Sequence, residues 1–177
     1  MYATNFDDLQ TRMAATEQTA GVSVLEHGHS VHQRYQELLR ELNQGKGNPT
    51  LQKVWESVRE RLMDPDLIWR YQVYHDCGKP ACAQDGHFPD HAEHSANQWA
   101  LLFPEDPVVA DLMRMDMQFH LTNAEDARSF WAHPLAPTLY VTAWAEILSN
   151  ASMFGGEDST SFKIKRKKLE RAGRALW

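Results

Sequence analysis

Between Val22 and Leu42 the apolar residues Val24, Val31, Tyr35, Leu38, Leu39 and Leu42 recur at steps of mostly three and four. That is the period of an α-helix with one buried face, and no stretch alternates apolar and polar residues long enough to make a useful strand. Punctuation by Gly and Pro divides the rest of the chain in the same style. A short polar helix is expected over residues 5–18, a long one over 22–42, and a third over 50–63 after the Asn43–Pro49 loop. Pro65 suits a first helical turn, so a fourth helix is expected from there to His75-Asp76, stopped by Gly78 and Pro80. Residues 81–90 read as a polar loop with a turn at Asp85-Gly86. His91 begins the next helix, which Phe103-Pro104-Glu105-Asp106-Pro107 breaks. A methionine-rich helix follows from Val108 to Leu121, then a short one ending at Trp131-Ala132-His133-Pro134. Leu139–Phe154 is strongly apolar with Glu146 as its one charged residue, and a basic helix follows Phe162. The expected fold class is all-α, and 177 residues suit one domain with a single core.

Charge and cysteine usage narrow the function classes. The formal net charge is −6, yet residues 162–177 carry seven cations against Glu170 alone, a local +6 that leaves −12 for the remainder. Such a basic segment fits either a solvated helix end or a contact with nucleic acid or an acidic partner. No apolar run approaches the roughly 20 residues that span a bilayer, and the first residues lack the plan of a secretory signal. A cytoplasmic protein with no membrane partner is expected. Cys77 and Cys82 form a lone C-x4-C pair without the second half of a structural zinc site, so reduced thiols are expected.

The residues that carry chemistry centre on His75-Asp76-Cys77-Gly78-Lys79-Pro80. A buried carboxylate is costly unless paired or metal-bound. Taken alone, the His-Asp dipeptide reads better as a helix-end cap beside a partly exposed imidazole. Eight of the nine histidines, however, lie between His27 and His120: His27, His29, His32, His75, His87, His91, His94 and His120. Imidazoles and carboxylates spread over several helices are how bundles build internal metal sites. His27 falls on or beside the apolar stripe of its helix. Asp116 and His120 are four apart, hence on one face of a continuous helix. His29, His32, His87 and His94 fit packing, surface or supporting positions better than ligand positions.

These segments resemble the HD-domain metal-dependent phosphohydrolases. Glu26-His27-Gly28-His29-Ser30-Val31 is similar to the helix of that family's first histidine, and His75–Pro80 to its HDxGKP signature. Phe88-Pro89-Asp90-His91-Ala92-Glu93-His94-Ser95-Ala96 is similar to the segment carrying a further histidine, especially in the modules attached to bacterial tRNA nucleotidyltransferases and poly(A) polymerases. Leu112–His120 sits where the family has an apolar run ending in His, and Ala145-Glu146 where it has a final Ala-Asp. The likeness covers about residues 25–154. It implies one HD-like helical bundle over 1–177, with a core over about 20–155 and the basic helix at 160–177.

The resemblance implies a metal-dependent hydrolase of phosphoric esters. His27, His75, Asp76 and Glu146 would hold a divalent transition metal, Mn, Fe, Co, Ni or Zn. His91, with either Asp116 or His120, would serve a second ion. Asp76 would also orient or activate the attacking water, and Lys79 would neutralise phosphate charge unless it is simply an exposed loop lysine. Glu146 replaces the expected Asp, so it is either a ligand one methylene longer or a charge paired inside the bundle. The expected substrate is a small phosphorylated molecule, a nucleotide above all, with nucleic acid as a further partner of the basic helix and oligomerisation left open. Two alternatives come from other classes: a di-iron oxygenase of the same fold, or an inactive nucleotide-binding or adaptor domain. Asn150–Phe162, with Gly155-Gly156, reads as a helix stop and capped loop rather than a lid over the site.

Overall fold

A computed structural model describes residues 1–86, 89–153 and 155–177. The fold is all-α, with one two-stranded hairpin among the described residues. The chain divides into two compact units, one of Met1–Ser30 with Asp64–Asp116, the other of Val31–Met63 with Met117–Trp177.

In the first unit, α1 (Phe6–Ala15) starts where the Asn5 side chain accepts the Asp8 N–H. The hairpin β1 (Glu17–Thr19) and β2 (Val22–Ser23) turns at Gly21, whose φ of 78° favours glycine. It replaces the last residues of the first expected helix and the first two of the second. The helix α2 (Val24–Asn43) begins on a reciprocal cap. Ser23 Oγ accepts the Glu26 N–H at 3.2 Å, and Glu26 Oε2 accepts the Ser23 N–H at 2.8 Å. The unit's other helices are α4 (Pro65–Tyr74), α5 (Lys79–Asp85), α6 (His91–Leu102) and α7 (Pro107–Arg114), while α3 (Pro49–Val58) belongs to the second unit. Leu9, Met13, Val24, Tyr71, Val73, Trp99, Leu112 and Met113 are buried.

Two expectations fail here. Residues 81–85 are helical rather than loop, because Pro80 occupies the first turn of α5 (Lys79–Asp85), where a missing N–H costs nothing. Gly86, at φ 68°, ends that helix. The expected continuous helix over 108–121 is broken: α7 stops at Arg114, and α8 (Gln118–Leu121) starts after the Met115–Met117 turn. Asp116 and His120 therefore do not share a helix face.

The second unit comprises the rest of α2, then α3, one tight turn at Arg59–Arg61, α8, α9 (Ala124–Phe130), α10 (Ala136–Met153) and α11 (Thr160–Arg174). The third helix ends five residues earlier than its sequence suggests. Helix α10 is buried nearly all round. The basic α11 is docked rather than free: Phe162, Leu169, Ala172 and Gly173 are buried. Tyr140 Oη donates to the Leu169 carbonyl at 3.0 Å, and Trp131 Nε1 to that of Ala172 at 2.8 Å. Its charges are partly spent locally, Arg166 on Glu170 at 2.9 Å and Lys163 on Asp158 at 3.3 Å. The stretch after α10 is a stop and a cap, as expected: Gly155 and Gly156 have φ of 86° and 78°, and Ser159 Oγ accepts the Phe162 N–H. Among the described residues no helix is long and apolar enough to cross a membrane.

Candidate functional site

Asp76 is 2% exposed, just past the end of α4. The chain reverses there in a short turn: the Cys77 N–H reaches the Tyr74 carbonyl and the Lys79 N–H that of Asp76, each at 2.9 Å. The turn throws the Lys79 side chain back over the carboxylate. Lys79 Nζ donates to Asp76 Oδ2 at 2.7 Å and to Gln18 Oε1 of β1 at 2.8 Å.

Three imidazoles face the same carboxylate. His75 Nε2 lies 3.2 Å and His27 Nε2 3.8 Å from Asp76 Oδ2, while His91 Nε2 lies 3.6 Å from Oδ1. They come from separate elements: His27 from α2, His75 from the end of α4, His91 from the first residue of α6. His27 and His75 are buried, whereas the side chains of His91 and Lys79 are each 18% exposed, so these two form the open edge of the cluster.

Two glycines allow this convergence. A Cβ on Gly28 would sit 2.0 Å from the Val73 carbonyl oxygen, so only glycine lets α2 approach α4 closely enough to bring the His27 and His75 rings to 5.4 Å. A Cβ on Gly78 would sit 2.4 Å from the Ser95 backbone nitrogen. Instead the Gly78 N–H donates to Ser95 Oγ at 2.9 Å, seating α6 against the turn and His91 against Asp76.

Protonation follows from these contacts. Burial pushes the Asp76 carboxyl up, but the charges of His75, Lys79 and His27 together outweigh it and hold it well below the usual carboxylate range. His75 Nδ1 lies 2.8 Å from the Gln72 carbonyl, an acceptor only, so Nδ1 carries the proton. Nε2 then faces a carboxylate oxygen, an arrangement that needs a cation between them, either a proton or a metal ion. Asp76 Oδ1 is buried and meets no hydrogen-bond donor among the described residues. His27 and His75 offer ring nitrogens within 4.8 Å of one another, close enough to serve one ion. His27 and His75 belong to a group of side chains that could hold a metal ion.

The remaining candidates have these contacts within their own units. Asp116, in the turn after α7, accepts a hydrogen bond from the Tyr71 hydroxyl. In the second unit His120 Nε2 lies 3.2 Å from Glu146 Oε2, and Asn150 Nδ2 is 3.4 Å from Glu146 Oε1. His29 is exposed, His32 stacks on Tyr35 at 6.4 Å, and His94 Nδ1 is 3.0 Å from the Tyr2 hydroxyl, the peripheral roles expected of them. His87, Phe88 and Phe154 lie outside the described residues. Gln18 and the Gln72 carbonyl, which orient Lys79 and His75, carried no signal in the sequence: one sits in an unexpected strand, and the other acts through its backbone. No family model, curated protein or solved structure matches this chain.

Proposed function

We propose that the protein is a metal-dependent phosphoric ester hydrolase of the HD-domain kind, acting on a nucleotide or a similar small phosphorylated substrate. One observation carries the proposal: three imidazoles and an ammonium converge on a single buried, ionised carboxylate. Lys79 and the three rings reach that carboxylate from separate elements, which is how a helical bundle gathers ligands for an internal ion.

His27, His75, Asp76 and His91 would hold the ion, and their mixed nitrogen and oxygen donors suit Mn, Fe, Co, Ni or Zn better than Ca. Such an ion, when bound, lowers the pKa of a coordinated water toward about 7 and polarises a phosphoryl oxygen. The chain's own groups have distinct tasks. Gln72 fixes the His75 ring through Nδ1, leaving Nε2 to ligate. Asp76 stays ionised and can orient a water through hydrogen bonding. Lys79 and His91 stand at the open edge, where a phosphate would enter, and Lys79 offsets its charge.

The test is to purify the protein, measure its metals, and screen nucleotides and generic phosphodiesters with added Mn, Co, Ni and Mg. Hydrolysis that disappears in His75→Ala, together with the bound metal, is expected. Activity persisting in that variant would sink the proposal. Bound iron with oxygen-dependent turnover would move the protein to the oxygenase class. A metal-free protein inert with every added ion would leave a binding or adaptor role.

A further inference from the structure

Away from the His-Asp cluster, the first unit contains a cleft of about 320 Å³ walled by aromatic rings. Phe6 comes from α1, Trp69 and Tyr74 from α4, Trp99 from α6 and Phe103 from the residue that ends α6. Three of the ring pairs are steeply inclined, while Trp99 lies at 33° to Tyr74 and 36° to Phe103. Phe6 and Phe103 cross at 76°, Trp69 and Tyr74 at 84°, and Phe6 and Tyr74 at 63°, with centroids 5.4–5.9 Å apart. Trp99 backs Phe103 at 4.4 Å. Tyr74 is held from behind, its hydroxyl accepting from Gln10 Nε2 at 3.1 Å.

Tyr74 and Trp99 are buried rings of the core, but Trp69 is 39% exposed and Phe6 and Phe103 are half-buried, so the cleft beside them opens to solvent. The volume is at the low end for small-molecule sites. The rim is acidic: Arg70 is neutralised by Asp106 at 2.9 Å, and exposed Glu105 leaves the cleft with one net negative charge. Ring faces and a carboxylate both attract cations and repel phosphate. Alkylated ammonium groups, weakly hydrated and apolar at their surface, are the ligands that aromatic boxes select.

We propose that this cleft binds a small molecule bearing a trimethylammonium or similarly alkylated ammonium group. The site is independent of the proposed hydrolase centre, and each can fail without the other.

The experiment is a titration of the full chain with choline chloride, followed by tryptophan emission, against 3,3-dimethylbutan-1-ol, which has the same shape without the charge. Saturable choline binding is expected, with the neutral alcohol weaker by about tenfold. Trp69→Ala should weaken choline binding by a further factor of about ten, Trp69→Phe should restore part of it, and Glu105→Gln should cost about threefold. Thermal midpoints should stay near that of the parent, since both residues are surface-exposed. Equal binding of the alcohol, no saturation with choline, unchanged affinity in both Trp69→Ala and Glu105→Gln, or tighter binding of adenosine than of choline would overturn the proposal.

Discussion

Lys79 Nζ and Asp76 Oδ2 are 2.7 Å apart, and the ammonium sits on a carboxylate that also faces three imidazoles. Lys79→Met removes that charge and leaves Asp76 in place. The metal-free protein should lose about 1–3 kcal/mol, less than for a fully buried pair because Lys79 is part-exposed, read as a lower urea midpoint. If Lys79 also offsets phosphate charge, metal-supported hydrolysis should fall by about 10²-fold.

Asp76 makes the protein acid-sensitive. Its native pKa lies well below the unfolded value of about 4, so the unfolded chain takes up the proton first. The stability it contributes is complete above about pH 4 and is lost as pH falls through the depressed native value. Urea midpoints measured from pH 7 to pH 2 should therefore fall more steeply below pH 4 for the parent than for Asp76→Asn. Parallel curves would show that Asp76 is not ionised in the native state.

Gly28→Ala should destabilise by about 3 kcal/mol, although alanine is the better helix former by about 1 kcal/mol. The added Cβ meets the Val73 carbonyl, a backbone atom that cannot swing aside. If the cluster holds a metal ion as proposed, the same change should abolish its retention, because it separates His27 from His75. Chemical denaturation and metal analysis of the purified variant check both outcomes.

Both thiols should be silent toward an aromatic disulfide reagent in the native protein, and both should react after unfolding. Cys77 and Cys82 are buried, and burial, aided by the Asp76 carboxylate, pushes the Cys77 thiol well above its usual range. A thiol count taken with and without urea measures this. Rapid native reaction would mean that the Asp76 turn opens readily.

Helix α2 was legible because its apolar residues keep a helical period from Val31 to Leu42, and α10 because a long apolar run with one charge is a buried helix. Helix α5 was missed because a proline stops one helix and starts the next with equal ease, and Pro80 does the second. The shared face of Asp116 and His120 failed for a similar reason: spacing of four implies a common face only if the helix is unbroken, and nothing in Met115-Asp116-Met117 announces a turn. The peripheral roles of His29, His32 and His94 were legible from their offset to the apolar stripes or their polar neighbours.

Local sequence settled the helical class and the inventory of groups able to ligate or titrate, because helix period and side-chain chemistry are properties of short segments. Which imidazoles meet Asp76 was a matter for tertiary packing. His27, His75 and His91 are distant along the chain, and they converge only because Gly28 and Gly78 let backbones approach to distances that a Cβ forbids. The role of these glycines is legible only once the segments they press against are known, and a sequence names no such neighbours.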